Sequence, residues 1–227
     1  MSVSELSSSS QNYLKAVWTL QEWTDEPVTA TALASRTGVR LSSASDAVRK
    51  LADQGLLDHT RYGSIALTPQ GRAYALTMVR RHRLIETFLV QVLGYRWDEV
   101  HDEAEQLEHA VSDLLVERIA AQLGHPDRDP HGDPIPTADG EVHLPTTVVL
   151  TDLPAGHRGR IERISDADPE LLQFFAAKGI DVGVEFTVEA GEPFSESISL
   201  VLDGGETVPL GRAATDAVRA SDLSEMA

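Results

Sequence analysis

The 227 residues predict a mainly helical chain with small β parts: an N-terminal winged helix-turn-helix, a helical domain after it, and a C-terminal SH3-like β-barrel. Three observations carry this. Apolar residues recur at helical spacing up to about Leu123; the texture then changes to Pro126, Pro130, Pro134, Pro136 and Pro145 among Asp and Gly; beyond that come short β-prone runs broken by glycine. The domain boundaries read as 1–74, 75–140 and 141–227, with a linker at about 124–145.

Taken in order, Tyr13, Leu14, Val17, Trp18 and Leu20 predict a first helix over 11–23, with Pro27 beyond its end. Thr29 is placed to cap a second helix that buries Leu33 and Ala34 and closes at Gly38. Ala44, Val48 and Leu51 face inward from a third that ends at Gly55. Residues 56–59 and 64–68 read as two strands around Arg61-Tyr62-Gly63, the wing. Pro69 and Gly71 open a long helix to about Leu93. An acidic helix runs from about Trp97 to Ala110, and another from Ser112 to Leu123. In the last third, 148–164, 185–189, 197–202 and 207–210 are the β-prone runs, with one helix over 169–178.

Composition bounds the function. Net charge is -17, but residues 1–80 hold eight Lys and Arg against seven Asp and Glu, whereas the rest holds eleven against twenty-nine. The acid is therefore kept away from the one region balanced enough to approach phosphate, and an acidic remainder suits cations. The chain has no cysteine, so disulfides, thiolate metal sites and cysteine nucleophiles are excluded. No membrane span and no secretory signal is visible, and a cytoplasmic location is expected.

The chemistry sits on the two helices of the middle region. His101, Glu105, Glu108 and His109 fall within about 100° of one helix face, at the edge of its apolar side. His82 and Glu86, four apart, share an arc of the long helix with Met78, Val79 and Leu89, where an unpartnered carboxylate would be costly. Two inward sets of imidazole and carboxylate supply ligands for one or two metal ions. A donor set without sulfur favours Mn²⁺ or Fe²⁺; Zn²⁺ and Co²⁺ are expected to occupy it in vitro. A solvated charged face is the bland alternative. A di-metal enzyme and a metal store are two others. The enzyme lacks support, since the chain carries no second Glu-x-x-His, nucleophile elbow or phosphate loop, and a store would leave the helix-turn-helix unused. His59, His125, His131, His143 and His157 have no partner at ligand spacing and read as loop or surface histidines, His125 and His131 as adventitious binders in the linker.

These residues resemble the diphtheria toxin repressor and manganese transport regulator family of metal-dependent repressors. The resemblance spans nearly the whole chain and rests on Arg81-His82-Arg83-Leu84 with Glu86, Val100-His101-Asp102-Glu103-Ala104, Glu108-His109, and Asp133-Pro134-Ile135-Pro136. It implies the winged helix-turn-helix, a helical metal-binding and dimerisation domain, and an SH3-like (FeoA-like) domain. It also implies a primary site of Asn12, Glu105, Glu108 and His109, and an ancillary site of His82, Glu86 and His101 with Asp168 added from the C-terminal domain. A further C-terminal ligand position falls near Leu171, which cannot bind, leaving Glu170 or Asp166 as substitutes. Manganese-responsive members have glutamate at the position of Glu105 and iron-responsive members cysteine, so the manganese branch is implied. At Asn12 those branches carry aspartate and methionine.

The resemblance implies repression of metal-uptake genes by a homodimer on a palindromic operator in double-stranded DNA. The third helix would enter the major groove, with Arg40, Ser42, Ser43, Ser45, Asp46, Arg49 and Lys50 reaching phosphate or base edges, and Arg61 and Tyr62 on the wing. Asp46 either accepts from a cytosine amine or caps a turn, and Ser42 or Ser43 can cap the helix. Leu84 and Phe88, off the ligand arc, are the expected dimer contacts.

Overall fold

The computed structural model describes residues 3–24, 26–59, 64–191 and 194–223. Eight helices and eight strands are described, with two short 3₁₀ turns. Contacts divide the chain into two compact units that interleave in sequence: residues 1–85, 105–118 and 135–142 form one, and 86–104, 119–134 and 143–227 the other.

The first unit begins with α1 (Ser8–Trp23), capped by the Ser7 side chain, which accepts from Ser10 N at 3.3 Å. α2 (Ala30–Arg36) is capped as expected by Thr29 Oγ1, which accepts from Ala32 N at 3.1 Å. Gly38 and Gly55 hold the left-handed turns that end α2 and α3 (Leu41–Asp53). Helix α3 starts one residue after Arg40, so Ser42 and Ser43 lie inside its first turn and do not cap it. The short strands β1 (Leu57–His59) and β2 (Ile65–Leu67) pair antiparallel with Leu57 opposite Leu67. The wing tip, with Arg61 and Tyr62, lies outside the described residues.

The core of this unit joins Leu14 and Val17 of α1, Leu33, Val48, Leu51, Ile65 and Met78, all essentially inaccessible. Met78 comes from α4 (Pro69–Gln91). Gly71 admits this packing, because a Cβ there would lie 1.9 Å from Leu56 O. Buried Arg83 of α4 binds both oxygens of Glu22 of α1, at 3.2 and 2.6 Å. Leu84, expected on a dimer face, is instead fully buried and Phe88 half-buried. The long helix spends Leu84 on its own chain, while Phe88 keeps part of its surface.

The second unit is built on a six-stranded antiparallel sheet of β3 (Val148–Val149), β4 (Arg158–Ile164), β5 (Glu185–Ala190), β6 (Ser197–Leu202), β7 (Thr207–Gly211) and β8 (Val218–Asp222). Their order is β3-β8-β4-β5-β6-β7. The run 148–164 is thus two strands, and β8 was not legible because its only strong apolar cue is Val218. Ile161, Ile164, Phe186, Leu200 and Val218 pack with Leu172 and Phe175 of α7 (Pro169–Ala177). A short α8 (Arg212–Asp216) precedes β8.

The proline-rich stretch is not a solvated linker throughout, for residues 131–136 are buried. Asp129 Oδ1 accepts from His131 N and Asp133 N, each at 2.9 Å, and Ile164 N donates to His131 O at 2.9 Å. Gly132, at φ +86°, lies so close to β4 that a Cβ would be 2.1 Å from Glu162 O. A turn that satisfies its own backbone can be buried where a loop of the same composition cannot.

Candidate metal centres

The acidic helix α5 (Val100–Leu107) stops earlier than its sequence pattern suggests. Glu108 and His109 follow in a turn closed by Ala110 N and Val111 N, both donating to Leu107 O. The Glu108 carboxylate is fully buried and surrounded by donors. Lys15 Nζ of α1 donates to Oε1 at 2.7 Å and Oε2 at 2.8 Å, and His82 Nδ1 of α4 lies 2.6 Å from Oε2. Burial alone would raise this carboxyl, but the hydrogen bond and charge of His82, joined by Lys15, hold it below the ordinary carboxylate range.

His109 Nε2 lies 3.5 Å from Glu108 Oε1, while its Nδ1 donates to Gln11 Oε1 at 2.6 Å. Gln11 is itself fixed, its Nε2 donating to Val3 O and Leu6 O at 2.9 and 3.1 Å. An amide acceptor on Nδ1 leaves Nε2 with the free lone pair, as in metal-binding histidines. Burial, partly opposed by the Glu108 charge, lowers the pKa of His109, so the ring is neutral at pH 7. On α1, next in sequence to Gln11, Asn12 Oδ1 is buried with no hydrogen-bond partner among the described residues. An orphaned amide oxygen on the helix that carries Gln11 and Lys15 is a donor of the kind a hard divalent cation takes. Glu105 is half-exposed and meets the set through Lys15 Nζ, at 3.4 Å. Among the described residues, Glu105, Glu108 and His109 do not close into a group within 4.8 Å of one another.

The second unit holds another cluster. Glu86 near the end of α4, His101 of α5 and Asp166 of the β4–α7 loop lie within 4.8 Å of one another, with His101 Nδ1 at 2.8 Å from Asp166 Oδ2 and 3.5 Å from Glu86 Oε1. Glu86, Asp129 and His131 form an overlapping group. His131, expected at the surface, is 1% exposed and stacks on Trp97 at 5.7 Å between ring centroids. Its Nε2 donates to Trp97 O at 2.9 Å, and its buried Nδ1 has no hydrogen-bond partner. A fixed imidazole with an unpartnered nitrogen beside two carboxylates again fits a divalent ion.

Asp168 is not part of this cluster. It is the exposed N-cap of α7, its Oδ1 accepting from Glu170 N at 3.0 Å and Leu171 N at 3.2 Å, and Asp166 takes the place expected of it. The Asp-Pro pair at 168–169 is an N-cap followed by N1 proline, the sequence signal that should have assigned the cap. His131 and Asp129 were missed because they lie on a turn placed by tertiary packing. Burial lowers the pKa of His101, but hydrogen bonds to Asp166 and Glu86 outweigh it and push the ring up to about 10. For His131, too, burial opposes the charged form, yet the charges of Glu86, Asp129 and Asp166 raise it.

On α3, Arg40, Ser42, Ser43, Asp46, Arg49 and Lys50 are exposed and Ser45 partly so, while Ala44, Val48 and Leu51 hold the opposite face in the core. Asp46 caps nothing; it lies 3.3 Å from Arg49 Nη1 in an exposed pair that contributes little and leaves the guanidinium able to move.

The chain matches three family models: "Iron dependent repressor, N-terminal DNA binding domain" over residues 5–65, "Iron dependent repressor, metal binding and dimerisation domain" over 68–137, and the FeoA domain over 148–221. It is 31% identical to the iron-dependent repressor IdeR of Mycobacterium tuberculosis over 96% of this chain and 98% of that one. To the diphtheria toxin repressor of Corynebacterium diphtheriae it is 30% identical, over 82% and 85%. A solved manganese-dependent transcriptional repressor in complex with manganese shares 54% identity at a TM-score of 0.90, covering 94% of this chain and all of that one. ScaR with bound Zn²⁺ shares 30% at 0.79, covering 93% and 98%. These relatives are DNA-binding repressors, not enzymes. No described helix is long and apolar enough to cross a membrane. With a helix-turn-helix, two buried sets of imidazole and carboxylate and these matches along its length, the chain belongs to the diphtheria toxin repressor family of metal-dependent transcriptional repressors.

Proposed function

We propose that this repressor responds to manganese and controls metal-uptake genes. The observation that carries the reading is the sulfur-free donor set of the first unit, where Glu105 and Glu108 share Lys15 and His109 lies 3.5 Å from Glu108, and α1 adds in Asn12 a buried oxygen without a hydrogen-bond partner. Hard oxygen donors with one imidazole suit Mn²⁺ better than a thiolate-containing site would. The 54% identity to a manganese-dependent repressor supports the same choice. In the second unit Glu86, His101, Asp129, His131 and Asp166 would hold a further ion. A metal supplies a link among side chains that otherwise repel one another, and the chain contributes ligands from α1 and from the turn after α5. Binding that favours the DNA-competent arrangement must be matched by DNA raising metal affinity equally.

A homodimer in the cytoplasm completes the reading. Leu114 and Leu115 of α6 (Asp113–Gln122), 70% and 46% exposed, offer an apolar face suited to a second copy. DNA would lie on the exposed face of α3, with Arg40, Arg49 and Lys50 on phosphate.

The test is binding to promoter fragments of metal-uptake genes at fixed salt, with metal-free protein and with Mn²⁺, anaerobic Fe²⁺, Co²⁺ and Zn²⁺ in turn. Tight binding at the lowest free Mn²⁺ is expected. Activation by Fe²⁺ alone would make this an iron sensor, as the names of the more distant relatives suggest. Binding indifferent to every metal would overturn metal control of this chain.

A further inference from the structure

Lys15 has no place in a list of metal ligands, yet it sits at the centre of the first candidate site. It lies on α1 one turn after Asn12, between core residues Leu14 and Val17, and its side chain is 11% exposed. A buried ammonium is stable only where its charge and donors are matched. Here they are: Glu108 accepts through both oxygens, at 2.7 and 2.8 Å, and Glu105 through Oε1 at 3.4 Å. His82 Nδ1, the other donor to Glu108, is 3.4 Å away.

We infer that Lys15 is the resident counter-ion of this centre in the metal-free chain, and that a divalent ion must displace it to bind. This rests on the reading that Glu105, Glu108 and His109 hold metal. The carboxylate lone pairs that face the ammonium are those an incoming ion would use, and two cations cannot share them without strong repulsion. Both carboxylates, Glu105 and Glu108, are turned to the same ammonium, at 3.4 and 2.7 Å. A lysine on a flexible four-carbon stem can swing away, as a rigid arginine fork cannot easily do. Its charge preserves the buried site when metal is scarce and raises the metal concentration at which the site fills. The threshold of the switch is thereby written into a residue that binds no metal.

The test is Mn²⁺ titration of the full chain, with free ion followed by electron paramagnetic resonance, for wild type, Lys15→Met, Lys15→Arg and Glu108→Gln. Thermal unfolding of each without metal accompanies it. Lys15→Met is expected to tighten the site that Glu108→Gln abolishes by about tenfold or more, the worth of one or two charge-assisted hydrogen bonds. It should also lower the metal-free melting temperature, while Lys15→Arg keeps the charge on a fork that is harder to displace and should raise the Mn²⁺ threshold above that of the wild type. If Lys15→Met does not fold, Lys15→Gln removes the charge and keeps a donor, with the same expectation. Unchanged or weaker Mn²⁺ binding in the neutral variants would overturn the inference. Wild-type binding unaffected by Glu108→Gln would instead overturn the parent reading, and the inference with it.

Discussion

The two candidate centres solve one electrostatic problem in different ways. Each buries carboxylate charge, Glu108 in the first and Glu86 with Asp129 in the second, that needs balancing when no metal is present. In the first unit the balancing charges are the ammonium of Lys15 and the imidazole of His82, both against Glu108, and the imidazole of His109 is kept neutral. In the second it is a proton, held on His101 between Asp166 and Glu86 and pushed up to about 10. A site filled by a tethered cation sets its threshold by competition with that cation, and a site filled by protons sets it by pH.

The sharpest way to break this comparison is to remove Glu108. Glu108→Ala leaves Lys15 buried without its main partner, and breaking such a pair costs about 3–5 kcal/mol. Denaturant unfolding of the metal-free protein should show that loss, and Mn²⁺-dependent DNA binding should disappear. A stability change under about 1 kcal/mol would mean that the Lys15–Glu108 contact is not the anchor described here.

The second centre is probed by His131→Ala. It takes out a fixed ring nitrogen and should weaken the ion at Glu86, Asp129 and Asp166 by about a hundredfold, the upper end of what supporting groups at metal sites contribute. Metal stoichiometry by equilibrium dialysis should fall by one per chain while the Glu108 site still fills. Loss of both ions together would show that the two centres do not act separately.

How much of this was legible beforehand follows the same division. His82, Glu86, His101 and Glu105 stood out because helical periodicity converts spacing into a shared face, and that rule needs no tertiary information; Glu108 and His109 were picked by the same rule although they lie in the turn after α5. Lys15 did not, because a lysine within an apolar helix reads as one whose head reaches solvent, and only the position of Glu108 reverses that. Asp129, His131 and Asp166 lie in turns, where no period exists. Asp168, the ligand the resemblance implies, is marked as a cap by its own neighbour, Pro169. The order of domains was readable from texture, but not the burial of 131–136, because a proline-rich segment looks the same whether or not its backbone is satisfied.

The difference in counter-charge also predicts different pH behaviour. The pKa of His101 is raised from 6.5 to about 10, so the stability it lends the metal-free fold is fully present below pH 6.5 and is lost as pH rises through 10. Between those limits an ion that binds His101 must expel its proton, so affinity at the second centre should rise about tenfold per pH unit. Isothermal titration of Mn²⁺ in buffers of different ionisation enthalpy would count that proton. At the first centre His109 is already neutral at pH 7 and has no proton to expel above that pH, so the dependence there should be weaker and carried by His82 beside Glu108. Equal proton release at both would erase the distinction.

The smallest expected effect belongs to Asn12, and it isolates charge from geometry. Its Oδ1 is buried without a partner but carries no formal charge, so it offers an ion one more hard oxygen without adding to the repulsion that Lys15 must balance. Asn12→Ala should therefore weaken Mn²⁺ binding at the Glu108 centre by about tenfold or less, the worth of one neutral contact, and leave metal-free stability unchanged or slightly improved because an unsatisfied oxygen is removed. Asn12→Asp should bind Mn²⁺ more tightly while costing stability without metal, since one ammonium would then face three carboxylates. If Asn12→Asp left both quantities unchanged, the amide would lie outside the reach of the site, and the centre would be defined by Glu105, Glu108 and His109 with Lys15 alone setting its balance.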